Sequence, residues 1–161
     1  MKLAEALALR ADAQRRLEQL RSYIAASARY QEGEEPAEDA TALLAEANAV
    51  LDELESLIRR INRTNAGVEI DADTGFTLTD AIARRDVLRM RRLLYAGAAD
   101  AATGHVQNQP RMGVRQMRSE LRYLSALDVP ALRRQADDAA KELRELDNRI
   151  QQANWEVELA D

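Results

Sequence analysis

No cysteine occurs in the 161 residues, so disulfides, thiolate catalysis and Cys-based zinc sites are closed to this chain. A single histidine, His105, leaves no material for a His-rich zinc or di-iron centre. It stands in TGHVQNQPRMG without Ser, Asp or Cys around it at a meaningful spacing, which reads as a surface-loop residue rather than a general base. Long apolar runs are missing too. Nothing approaches the ~18 residues of a membrane span, and MKLAEALALRAD carries Glu5, Arg10 and Asp12 where a signal peptide is apolar. The expectation is a cytoplasmic protein with no membrane partner, no cofactor and no metal, carboxylate-only Mg²⁺ or Ca²⁺ binding being the one metal chemistry left open. The net charge of -5 gives the whole molecule no general attraction to nucleic acid. Lysine is scarce, at Lys2 and Lys141 only, and no function follows from that.

With six Gly, three Pro and six aromatic residues, the chain is otherwise rich in Ala, Leu, Arg and Glu, the composition of a mostly helical protein. Periodicity agrees. Leu43, Ala47, Val50, Leu54, Leu57 and Ile61 recur at steps of four and three, with Leu44, Leu51 and Ile58 as a second row. Val129, Leu132, Ala136, Ala139, Leu143, Leu146, Ile150, Ala153 and Val157 repeat the alternation after Asp128, a capping residue, and Pro130, tolerable in a first turn. A first helix over about Leu3 to Ala28 has a weaker stripe of Leu3, Ala6, Ala13, Leu17, Leu20 and Ile24, interrupted by Arg10. A helix over about Leu78 to Ala102 follows Thr77 and Asp80, with Ala83, Val87, Met90 and Leu94 as its expected buried stripe. QEGEEPAED is an acidic turn, and GVEIDADTGF suits a small hairpin around Asp73 to Gly75.

These elements predict an all-α, antiparallel up-down four-helix bundle, a single domain over 1–161. An extended arm or irregular insertion at about 103–127, too long for an ordinary bundle connection, joins helices three and four.

Such a bundle brings the end of helix two, the start of helix three and the end of helix four to one pole. LIRRINRTNAG places Asn62, Arg63, Thr64 and Asn65 there, and the helical steps carry Thr64 and Asn65 into core-facing positions that need hydrogen-bond partners. Asp80, Arg84, Arg85 and Asp86 on helix three and the stripe Arg144, Asp147, Gln151 and Asn154 on helix four supply candidate partners. The structural reading is a network that caps helix two, with Asn65 or Gly67 in a left-handed C-cap and Trp155 as a packing anchor. The functional reading is a pocket for a small anion or nucleotide-like ligand. In the arm, Arg111, Arg115, Arg118 and Arg122 fall on one face if helical. They suit either nucleic acid or the acidic span from Tyr30 to Glu55, which holds nine acidic residues and no Lys or Arg.

The segments GEEPAED, RRINRTN, TLTDAIARRDVLR, SELRY with LDVPALRRQADD, and RELDNRIQQANWEVEL resemble a family of small, uncharacterised bacterial cytosolic proteins sometimes labelled septicolysin. The resemblance spans almost the whole chain apart from Ala96 to Met117, and its motifs carry no established activity. No motif in the chain names a reaction. The sequence therefore reads as a non-catalytic, self-associating helical scaffold or interaction protein, a homo-oligomer with room for a further protein partner. The alternatives are a small-ligand-binding or hydrolytic protein using the polar pole, and nucleic-acid contact through the arm.

Overall fold

A computed structural model describes residues 1–104 and 123–161. Among them are four helices: α1 (Leu3–Ser27), α2 (Ala40–Gly67), α3 (Leu78–Ala102) and α4 (Val129–Glu156). Two short strands, β1 (Glu69–Asp71) and β2 (Phe76–Thr77), pair antiparallel. The fold class is all-α, as the composition and periodicity indicate. The expected arm, with His105, Arg111, Arg115, Arg118 and Arg122, lies almost wholly outside the described residues.

The helix limits follow local chemistry. Asp39 starts α2 by accepting hydrogen bonds from the Thr41 and Ala42 amides at 2.9 and 3.2 Å, and Asp128 starts α4 through the Ala131 amide at 2.9 Å. Both satisfy backbone donors that a helix start leaves unpaired. The hairpin turns through Gly75 at φ +65°, a left-handed conformation that costs glycine little. Asp71 accepts from the Asp73 amide at 3.2 Å on the way into that turn. At the end of α2 the expected left-handed cap is absent. Helix continues through Asn65 to Gly67, and the cap is Val68, extended, whose amide donates to the Thr64 carbonyl at 3.0 Å. An ordinary helical bond at that point removes the need for a left-handed residue.

The chain divides into two compact units, Met1–Thr79 with Ile150–Asp161, and Asp80–Arg149. In the first, α1 and α2 run antiparallel: Leu20, Leu43 and Ala47 form a cluster with Leu17, Ile24 and Val50 against it, and Arg16 donates to Glu46 at 2.9 Å beside it. Leu3, Ala6, Leu54, Leu57 and Ile61 extend the buried row. Residues Val157 to Asp161 close this unit: the Leu3 amide donates to the Val157 carbonyl at 3.0 Å and the Leu159 amide to the Met1 carbonyl at 2.9 Å. Leu159 is buried there.

In the second unit α3 and α4 are also antiparallel, since Arg84 meets Glu142 near one end and Asp100 meets Arg133 near the other. The α4 row is as its periodicity indicates: Ala139 and Leu146 are buried and Val129, Leu132, Ala136 and Leu143 half-buried. α3 differs from expectation. It buries Ala81, Leu88 and Ala99, whereas Ala83 is exposed and Val87, Met90 and Leu94 are 46%, 67% and 66% exposed. At about 100° per residue the two rows lie on opposite sides of one helix, so α3 is apolar along two faces and the packing selects the less bulky one.

Candidate functional site

The polar residues of the pole fall into two groups, one in each unit. In the first, Thr64 is buried at 3% exposure. Its hydroxyl donates to the Arg60 carbonyl at 2.8 Å and accepts the Ala160 amide at 2.9 Å. Arg60 Nε donates to the Ala160 carbonyl at 2.9 Å and a terminal nitrogen reaches the Asp161 carboxylate at 3.3 Å. Arg63 donates to the Asp161 main-chain oxygen. The segment after α4 therefore docks on the last turns of α2 through one buried hydroxyl and two guanidinium groups.

Asn62 is exposed and Asn65 half-buried on the same turns. Beside them an open groove of about 390 Å³ is lined by Asp52, Glu55, Ser56, Arg59, Arg60, Arg63 and Asp161. Its three guanidinium groups face three carboxylates, so the lining is electrostatically balanced and gives an added anion little net attraction.

On α4, Gln151 is exposed and Asn154 half-buried. Trp155 is 66% exposed and is not the expected packing anchor. It stands two residues after buried Ala153, which on a helix is the opposite face.

In the second unit Asp86 and Asp147 bind a pair of arginines. Asp86 accepts both Nε and a terminal nitrogen of Arg85, at 3.1 and 3.0 Å, and lies 3.5 Å from Arg89. Asp147 lies 4.0 Å from Arg85 and 3.7 Å from Arg89. Arg84 donates through Nε to Glu142 at 2.6 Å. Asp80 and Arg144 are exposed. Two acids against two arginines is a self-neutralising cluster at a helix–helix seam, the arrangement of a packing device.

Sequence reasoning did not identify Arg89, Glu142, Glu158 or Asp161 as members of these groups. For Glu142 and Arg89 the signal existed, as opposite charges on antiparallel helices. For Glu158 and Asp161 none did, because no periodicity links a terminal segment to a helix a hundred residues earlier.

Glu158 completes the closure of the first unit. Lys2 Nζ sits 2.7 Å from one carboxylate oxygen and the Met1 amino group 3.1 Å from the other, and Lys2 also donates to the Glu156 carbonyl at 2.9 Å. The hydrogen bond from Lys2, then that from the Met1 amino group, holds the Glu158 carboxyl below its ordinary value. A carboxylate lowered in the folded state favours folding above its unfolded pKa, and loses that contribution as pH falls through the folded one. Stability should thus decline through the acid range below the ordinary glutamate value, and Glu158→Gln should flatten part of that decline. Parallel urea titrations of both proteins from neutral pH into acid check this; identical pH profiles would remove Glu158 from the account.

The match to a family model covers residues 10–159. The chain belongs to DUF6847, a family of unknown function. No curated protein matches it. Among solved structures it is similar to the crystal structure of a functionally unknown conserved protein from Corynebacterium diphtheriae, with 42% identity, a TM-score of 0.85 and 99% of each chain covered. Neither description carries the septicolysin label. The DUF6847 match and the bacterial neighbour give this helical architecture a wider membership and assign it no reaction.

Proposed function

We propose that this DUF6847 chain is a non-catalytic helical scaffold or interaction protein that associates with itself. The observation that carries the reading is α3, apolar on two opposite faces with one buried and the other open. Val87, Met90, Leu93 and Leu94 lie within two turns, each 46% exposed or more. A contiguous patch of this kind marks an interaction surface more often than a solvated one.

The small-ligand reading of the polar residues has less behind it, since Arg60, Arg63, Thr64, Arg84, Arg85, Asp86 and Asp147 are engaged by the chain's own groups. No helix of the described residues is long and apolar enough to cross a membrane.

Light scattering near neutral pH and moderate salt is expected to give a mass of at least two chains. A strictly monomeric protein at high micromolar concentration would overturn the proposal.

A further inference from the structure

The self-association reading leaves open what covers α3, and charge supplies an answer. The outer stripe runs Ala83, Val87, Met90, Leu94, Gly97 and Ala101, alternating steps of four and three over the whole helix. This is the seam pattern by which one helix receives another. A second uncovered row is present on α2, where Leu44, Leu51 and Ile58 are spaced by seven and are between 36% and 53% exposed.

The flanking charges of the two rows are opposite. Of the nine acidic residues from Tyr30 to Glu55, Asp52 and Glu55 flank the open row of α2, and Arg59 follows them on the same side. Beside the α3 stripe stand Arg84 and Arg91, and Asp100 follows toward the helix end. Run in the same direction, the acidic part of α2 lies beside the basic part of α3, and its basic part lies toward Asp100. Run in opposite directions with Ile58 on Val87, Arg59 comes within one turn of Arg84, which is repulsive, and Asp100 has no basic residue of α2 near it. Two of these groups are uncommitted: Arg91 and Asp52 are exposed and have no ion-pair partner among the described residues.

We propose that the outer stripe of α3 receives the Leu51 and Ile58 end of the open α2 row from a second copy of this chain, the two helices running in the same direction. A register of Leu51 on Val87 and Ile58 on Leu94 sets Glu55 level with Arg91. Each copy carries both faces, so the contact can be made reciprocally or from copy to copy. The inference rests on the self-association reading and adds the surface to it.

The absence of cysteine makes a direct test clean. Single-cysteine proteins Leu51→Cys and Val87→Cys, mixed and treated with a short bis-maleimide, are expected to give a covalent dimer containing one of each. Gln19→Cys, on an exposed position of α1, mixed with Val87→Cys should give none. Independently, Arg91→Glu or Glu55→Arg alone should weaken association by about tenfold, the size of one interfacial charge pair, and the double variant should recover most of it. Circular dichroism of each variant should stay helical, since all the positions changed are exposed. If wild-type protein is oligomeric but the Leu51 and Val87 cysteines do not crosslink and the double variant does not recover, this surface is wrong and self-association stands. A monomeric wild type overturns both.

Discussion

Ile61→Ala is expected to lower the free energy of unfolding by about 2–5 kcal/mol, the range for removing a large aliphatic side chain from a packed interior. Ile61 is 1% exposed and lies on the buried row of α2 between Leu57 and Thr64. The missing atoms leave a cavity that α2, held on one side by α1 and by the docked terminal segment near its end, has little freedom to close. Leu51→Ala is the control. About three turns earlier on the same helix, but 45% exposed, it should cost about 1 kcal/mol or less in the isolated chain, because half of its surface is already wet. Urea denaturation at low protein concentration reads both; equal effects would mean the buried row of α2 is misassigned.

Thr64→Val tests the polar half of the same helix. Valine keeps the shape and removes the hydroxyl that accepts the Ala160 amide and donates to the Arg60 carbonyl. The Ala160 amide is left without its acceptor in a half-buried position, which costs about 1–3 kcal/mol. Thr64→Ser, which retains the oxygen, should lose less. The distinguishing readout is amide hydrogen exchange: protection of Ala160 should fall in the valine variant and persist in the serine variant. A valine variant as stable as wild type would show that the terminal segment is held by Arg60, Arg63 and Leu159 without the hydroxyl.

The helices themselves were legible because their signals are local. Thr77 before Leu78, Asp128 before Val129 and Gly75 in the hairpin mark ends that depend on a few neighbouring residues. The α4 seam was legible because it has a single apolar row. α3 was not, because Ala83, Val87, Met90 and Leu94 form a bulkier row than Ala81, Leu88 and Ala99, and periodicity weighs bulk without knowing which side a neighbour occupies. Trp155 misleads for a related reason: size suggests burial, while its step from Ala153 points it away. The candidate site was half legible. Thr64 could be placed in the core by counting turns. Its partner, the Ala160 amide, could not, because a main-chain group after the last helix leaves no mark in the sequence pattern.

The contacts between residues 1–3 and 157–159 set an order for folding as the chain is made. The unit Met1–Thr79 is completed only by Ile150–Asp161, so on a ribosome α1 and α2 emerge early and wait with the Leu3 amide and the Thr64 hydroxyl lacking their Val157 and Ala160 partners until Asp80–Arg149 has been synthesised. Joining segments this far apart in sequence is slow relative to forming the local α1–α2 pair. During that interval the apolar start of α1 is left without its closing segment, and transiently open apolar surface of this kind is what a holding chaperone recognises.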